Sequence, residues 1–455
     1  MSVEDDAADA ATLAVAMIKA WLPSVADAVR SPAPLSALAV ALQCGGSDAF
    51  SGVSGNPAVG HAAKRLVERG GRALLAETDE LMGAETYVLD GVRDARTHDA
   101  FLALVRRYAA YLAAHGQTAE ANPSGGNKQR GLYNIALKSL GAAKKKHAAL
   151  RLEGCVAYGA EVPAERGYYF MDSPGNDLES VCGQVAAGCT VVHFVTGNGS
   201  ITNFPFVPTI KVVTTTARYE LLKDDMDFDA GRYQAGAPMV DLGRELFDAT
   251  VAVAGGATTK GEAAGHSQLS IWRAPSQLAF DPATLGALAA RHGAPAFEAV
   301  AFAAPDEAAA APRRPLRRVA LVIPTSLCAS QVAAGCARDA AFPATVDAVA
   351  ALPHTEGCGA GHAGDGGDAY DRIVVGHATH PAVGCAVFLE HGCEKTHNDY
   401  VRALLKRKGI SVDAFAFASC QRDGGNAKVS EGVAKALADR LPRLPPRATG
   451  AGPGG

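Results

Sequence analysis

No apolar run in the 455 residues approaches the ~20 that a membrane-crossing helix needs. The start, Met1-Ser-Val-Glu-Asp-Asp, is acidic where a secretory or organellar leader is basic. A membrane association is therefore not expected, and the sequence reads as cytoplasmic. Neither sign of charge dominates, since 43 Lys and Arg stand against 47 Asp and Glu for a net charge of −4. The basic runs are short (Lys144 to Lys146, Arg313 to Arg318, Lys406 to Lys408), so a phosphate-backbone footprint is missing and nucleic acid is excluded as a partner. Ten cysteines are too few for a disulfide scaffold of this size, and several, such as Cys189 and Cys385, sit in apolar stretches where a thiol packs as a small hydrophobe. Cys44, Cys358 and Cys393 stand apart, in glycine-rich turns beside polar residues.

What is present suits a globular protein: 48% hydrophobic and 20% charged residues, interspersed along the chain, can bury a sizeable core. Residues 303–318, rich in Pro, Ala and charge, read as a linker, and the Pro- and Gly-rich residues 442–455 as a disordered tail. Between them, residues 319–441 alternate short apolar runs (Arg318 to Pro324, Val346 to Leu352, Gly384 to Glu390, Asp413 to Ser419) with helical spacings, the signature of a parallel sheet covered on both faces. Residues 1–302 are less regular: an amphipathic helix near Asp9 to Val29, then strands at Ala37 to Leu42, Arg72 to Glu77, Gly154 to Tyr158, Gly167 to Met171, Thr190 to Val195 and Thr209 to Thr214. The expected fold class is α/β in two domains, the C-terminal one a doubly wound, Rossmann-like parallel sheet and the N-terminal one mixed α/β.

Ligands of open parallel sheets bind beyond the carboxyl ends of the strands, which directs attention to the loops there. Three in the C-terminal domain are strongly polar: His354-Thr-Glu-Gly-Cys358, His391-Gly-Cys393-Glu394-Lys395 and Gln421-Arg-Asp-Gly-Gly425. Six of the 13 His lie between His354 and His397, and with Cys and Glu in the same loops the ligand types suit iron or zinc, at no zinc-finger spacing. The alternative is that these side chains cap helices and pack under turns. Gly359-Ala-Gly-His-Ala-Gly364 fits a dinucleotide fingerprint that is weak alone, and Asp225-Met-Asp-Phe-Asp229 resembles a calcium loop without its closing Glu. In the N-terminal half, Gln43 to Asp48 and Thr196 to Ser200 each follow a strand, and their glycines allow close backbone approach to a ligand.

Four segments carry a resemblance: Gln43-Cys-Gly-Gly-Ser-Asp to Gly60, Asn122-Pro-Ser-Gly-Gly-Asn-Lys128, Gly167-Tyr-Tyr-Phe-Met-Asp-Ser-Pro-Gly175 and Gly183-Gln-Val-Ala-Ala-Gly188. Together they resemble the catalytic region of the altronate and galactarate dehydratases. Residues 319–441 are similar to that family's middle domain through His354 to Gly359, Gly392-Cys-Glu394 and Asp423-Gly-Gly425. The two domains stand in exchanged order, and the family's small N-terminal domain has no counterpart. Asn198 stands where the family commonly has Arg. The resemblance implies a hydro-lyase that removes water from a 2,3-dihydroxy sugar acid to give a 2-keto-3-deoxy acid, assisted by Fe2+ or another divalent cation. It implies proton transfer by His354, His391 or Lys128, substrate contacts from Ser47, Asp48, Asn127, Asn198 and Lys211, and metal ligation by Cys44, Cys358, Cys393 and Glu394. Alternatives are a sulfolactate-type sulfo-lyase and a non-catalytic sugar-acid-binding subunit. Expected partners are the sugar acid, a separate small subunit supplying the missing domain, and further copies of the chain in a homo-oligomer.

Overall fold

A computed structural model describes residues 7–26, 32–272, 319–340, 346, 348–357, 365–380 and 383–440. Two parallel sheets organise them. The first contains β1 (Ala39–Cys44), β2 (Arg72–Leu75), β3 (Leu152–Val156), β4 (Gly167–Met171), β5 (Val191–Thr196), β6 (Thr209–Val213) and β7 (Phe228–Asp229), in the order β3-β4-β2-β1-β5-β6-β7. Every residue of β1, β4, β5 and β6 is buried, the pattern of a sheet covered on both faces. On one face Val40 and Leu42 pack on Ala58, Ala62 and Leu66 of helix Gly55–Glu68 and on Leu246 of helix Met239–Ala254. On the other, Ala41, Leu74 and Val192 pack on Val181 and Val185 of helix Asp177–Ala186.

The second sheet contains β8 (Val319–Pro324), β9 (Ala348–Ala351), β10 (Val383–Glu390) and β11 (Ala416–Ser419), all parallel, in the order β11-β10-β8-β9. Helices Leu327–Asp339 and Asn426–Arg440 supply Val332, Val429 and Val433 to one face. Helices Asp365–Ala378 and Asn398–Arg407 supply Tyr370, Val374, Val401 and Leu405 to the other. This is the doubly wound sheet that the strand-helix alternation predicts. The first sheet is parallel too, more regular than its sequence suggests, and β7, two residues long, has no sequence signal. The expected linker and tail lie outside the described residues, among which no helix is long and apolar enough to cross a membrane.

The sheets meet through polar contacts. Arg218 Nη1 donates to Gln421 O at 2.8 Å, Gln421 Nε2 to Gly199 O at 3.1 Å and Lys395 Nζ to Ala121 O at 2.6 Å, while Asn426 Nδ2 lies 2.8 Å from His266 Nε2. These bonds run from segments that follow β2, β5, β6 and β7 on one side to segments that follow β10 and β11 on the other.

Candidate active site in the cleft between the sheets

The cleft encloses about 600 Å³ and is lined by Cys44, Glu80, Lys138 and Asp177 from the first domain and by Cys328, Glu356 and Cys393 from the second, among others. Its inner end is built from the ends of β1 and β2. Cys44 closes β1 with its thiol 3.1 Å from Glu80 Oε2 and 3.6 Å from Glu77 Oε2. Glu77 follows β2 with φ 69°, the sole non-glycine with positive φ among the described residues. A side chain in that region costs on the order of 1 kcal/mol or more, and persists where surrounding bonds fix it. Ser173 Oγ accepts the Glu77 N–H at 2.9 Å, and Gln43 Nε2 donates to its Oε1 at 2.6 Å. The fully buried ammonium of Lys145 pairs with Glu77 Oε2 and lies 3.1 Å from Cys44 Sγ.

A second relay lies beside the first. Lys138 Nζ is 2.8 Å from Glu80 Oε1 and donates to Asn122 Oδ1 at 2.6 Å, and Asn122 Nδ2 donates to Asp79 Oδ2 at 2.6 Å. Asp177, in the first turn of the helix after β4, takes a bond from Gln43 Nε2 at 3.2 Å. Its carboxylate lies against Gly45, where a Cβ would stand 2.3 Å from Oδ2. Glycine is required there to admit the carboxylate.

Burial decides the electrostatics. It pushes the Cys44 thiol well above its ordinary value, reinforced by the Glu77 and Glu80 charges. Burial, then the charge of Glu80, raises Asp79 to about 6 and Asp177 to about 7. Burial raises Glu77 more than the Lys145 charge lowers it. Burial also disfavours the Glu80 carboxylate, but Lys138 and Lys145 together hold its pKa below the ordinary value. Both ammoniums stay charged, because the neighbouring anionic groups outweigh the burial that opposes them.

One ligand atom from each of Cys44, Glu77 and Glu80 lies within 4.8 Å of the others, and all three residues are buried. When ionised, the carboxylates of Glu77, Asp79, Glu80 and Asp177 together with a Cys44 thiolate exceed the two ammoniums by three negative charges, two of which a divalent cation would neutralise. The thiolate favours iron or zinc over magnesium. The group thus fits a divalent transition metal in charge and donor type.

Of the residues singled out from sequence, Cys44, Cys393, Glu394 and Asn127 line this cleft. Glu394 has both oxygens engaged: Oε1 accepts from Thr325 Oγ1 at 2.7 Å and His391 N at 2.7 Å, and Oε2 from Gly392 N at 2.5 Å, so the carboxylate braces its own loop. Asn127 donates to Ser47 O at 2.7 Å. His391 is buried behind the wall, its Nδ1 3.3 Å from Cys393 Sγ and 3.2 Å from Gln421 Nε2, and burial lowers its pKa. His354 has Nε2 2.9 Å from Pro324 O, and its Nδ1 accepts from Glu356 N at 3.2 Å. Lys128 is exposed. Ser47 and Asp48 line a neighbouring pocket, where Asp48 accepts from Ser51 N at 2.8 Å and Thr214 Oγ1 at 3.0 Å. Asn198 is buried beside Gly46, and neither its side-chain Oδ1 and Nδ2 nor Lys211 Nζ has a hydrogen-bond partner among the described residues. Cys358 lies outside the described residues.

Sequence reasoning missed Glu77, Asp79, Glu80, Lys138, Lys145 and Asp177. One signal was available, the acidic Glu77-Thr-Asp-Glu80 directly after a strand.

Comparison with known proteins agrees with the architecture. Residues 35–276 match the family description "D-galactarate/Altronate dehydratase, C-terminal", and residues 315–442 match "D-galactarate dehydratase/Altronate hydrolase, second domain". The chain is 34% identical over 244 residues to altronate dehydratase of Escherichia coli K12, covering 54% of this chain and 49% of that one. Galactarate dehydratase (L-threo-forming) of the same organism is 36% identical over 248 residues, 53% of this chain and 47% of that one. The beta subunit of (2R)-sulfolactate sulfo-lyase of Chromohalobacter salexigens is 32% identical over 247 residues, 54% and 63%. The chain thus spans about half the length of the dehydratases it matches. With the first family description alone covering more than half of its residues, the chain belongs to the D-galactarate/altronate dehydratase family.

Proposed function

We propose that the chain is the catalytic part of a hydro-lyase that eliminates water from an altronate- or galactarate-like acid, giving a 2-keto-3-deoxy acid. The observation that carries this reading is the inner end of the cleft, where Cys44, Glu77 and Glu80 lie buried beside two ammoniums and the carboxyl of Asp177. Elimination starts with removal of a weakly acidic proton α to a carboxylate, which calls for a base near neutral pKa and for positive charge near the developing enolate. Asp177 faces the cleft with an amide rather than an ammonium as its bonded partner, and takes the base role. Lys138, fixed between Glu80 and Asn122, lines the cleft and supplies positive charge without reorganising. Fe2+ held by Cys44, Glu77 and Glu80 would supply Lewis-acid polarisation of substrate oxygens. Cys393 supports the reading from the opposite wall, and His391 orients it.

Anaerobic assay of the purified chain with Fe2+ against altronate and galactarate, with and without a relative's small domain in trans, tests the proposal through 2-keto acid formation. Absence of turnover on both acids in every combination would reject it. A sulfo-lyase is the second reading, favoured by the larger share of the sulfo-lyase subunit that the chain spans and by a neutral Asn198 where the dehydratases commonly carry Arg. Sulfite release from sulfolactate would identify it.

A further inference from the structure

The charges that line the cleft are unequal. Asp79, Glu80, Asp177, Glu179, Glu356 and Glu394 place six carboxyl groups on its walls, and among the described residues Lys138 is the sole cation there. That ammonium is at the inner end, bonded to Glu80 and Asn122. Other cations are engaged elsewhere or lie apart. Lys211 is fully buried outside the lining, Lys128 is exposed outside it, and Lys395 donates to Ala121 O at 2.6 Å. Arg107 lies over Tyr108 and Trp272, 5.7 and 5.5 Å from the ring centres, but it pairs with Asp172 and does not line the cleft. The outer part of the cleft is aromatic. Trp272 packs with Tyr108 and Tyr111 at 6.0 and 5.8 Å between ring centres, and its backbone N–H donates to Tyr158 Oη at 3.2 Å. Tyr158 in turn donates to Glu179 O at 2.7 Å, which fixes Glu179 beside the rings, while exposed Glu356 faces it from the second domain. Gln117, Thr118 and Asn176 add uncharged polar groups.

Resting on the hydro-lyase reading, we propose that the outer cleft is a specificity site, which accepts monocarboxylic sugar acids with an uncharged polyol tail and rejects sugar diacids, with Glu179 and Glu356 as the discriminating residues. The elimination places the reacting carboxylate at the inner end, beside Lys138. Five C–C bonds of ~1.5 Å then carry the far carbon of a six-carbon acid roughly 6–7 Å outward. In a monoacid that carbon bears a hydroxyl, which the uncharged Gln117, Thr118 and Asn176 can bond, and the C–H groups of the tail lie against the rings. In a diacid it bears a second carboxylate. That anion meets two like charges and the electron-rich faces of Tyr111 and Trp272, with no cation to pair it, and a repulsive element of this kind sets specificity as effectively as an attractive one. A divalent cation at the inner end would leave the lining negative, so the argument holds with the metal bound.

The test is ligand binding by the full chain, read by calorimetry and by Trp272 fluorescence in a Trp21→Phe background, which leaves one tryptophan. Galactonate and galactarate are the probes, because they share configuration and differ only at carbon 6. At about 20 mM salt galactonate should bind at least about tenfold tighter, and the gap should narrow at about 200 mM, where screening is stronger. Glu179→Gln/Glu356→Gln should narrow it at least about fivefold at low salt, and Glu356→Lys should shift it further toward galactarate, with circular dichroism as the check on folding. Galactarate binding as tightly as galactonate or more so at low salt would overturn the proposal. So would a preference that the Gln variant leaves unchanged, or no binding of either acid at about 10 mM. Galactonate preference without 2-keto acid formation supports the specificity and rejects the hydro-lyase reading, whereas equal turnover of both acids does the reverse.

Discussion

Replacing Lys145 by Met removes the ammonium that pairs with Glu77 while nearly keeping its volume. Lys145 and Glu77 are both 0% exposed, so the loss cannot be made good by water at the surface. Glu77 would keep the bonds from Gln43 Nε2 and the Cys44 amide, at 2.6 and 3.1 Å, but without its cation it must either stay an uncompensated buried anion or take up a proton, and both cost stability. Breaking a buried pair in this way costs ~3–5 kcal/mol, whereas the partly exposed Lys64–Glu68 pair, 3.0 Å apart, contributes below ~0.5. For a domain of about 240 residues, 1 kcal/mol lowers Tm by ~2–4 °C, so Lys145→Met should fall by roughly 10 °C and Lys64→Met by about 1 °C. Differential scanning calorimetry in chelator measures both. Adding Glu77→Gln to Lys145→Met should restore more than half of the loss, because a neutral amide keeps the Gln43 contact without a buried charge. Equal Tm changes for the two Lys variants, or no recovery in the double variant, would refute the assignment of Lys145 as the counter-charge of Glu77.

Three further outcomes follow from the same geometry. Asp79 and Asp177 have folded-state pKa values raised above their unfolded value of ~3.9, so they favour the folded chain below that value and lose this contribution as pH rises through about 6 and about 7. Metal-free protein should therefore lose stability between pH 4 and 7, on the order of 3 kcal/mol from Asp177 alone, and Asp177→Asn should flatten the slope in urea titrations. Binding of Fe2+ or Zn2+ at Cys44, Glu77 and Glu80 should release protons and tighten from pH 6 to pH 8; calorimetry in buffers of different ionisation enthalpy reads this, and Glu80→Gln should weaken it at least tenfold. Gly45→Ala would set a methyl 2.3 Å from Asp177 Oδ2 and 2.5 Å from Phe194 Cζ, and should abolish turnover on whichever acid the wild type uses, while far-ultraviolet circular dichroism stays native.

The strands were legible in sequence because they are short apolar runs closed by turn residues, as with Gly167 to Met171, whose bounds match β4. Strand order was not legible: β1 lies between β2 and β5 through crossover connections, and no local pattern records which distant strand becomes a neighbour. Half of the site followed the same division. Cys44 stood out because a thiol in a glycine turn after a strand is unusual. Lys145 and Lys146 did not, because a run of three lysines ordinarily marks solvent, yet both are 0% exposed here. Their partners, Glu77 for Lys145 and the Asp90 carbonyl at 2.7 Å for Lys146, come from remote segments. Burial of a charge is decided by such partners, and a single sequence does not show them.

The hydrogen bonds that join the two sheets bear on how such a chain can arise. The segment matching the family's C-terminal description precedes the one matching its second domain, the reverse of what those descriptions imply. The cleft wall is joined through Lys395 to Ala121 and Arg218 to Gln421, none of which depends on which module is translated first. A peptide tether then contributes proximity, that is, an effective concentration of one module near the other. Gene fusion, fission and reordering therefore become nearly neutral events so long as the facing surfaces are kept, and selection acts on the seam rather than on the order of its parts.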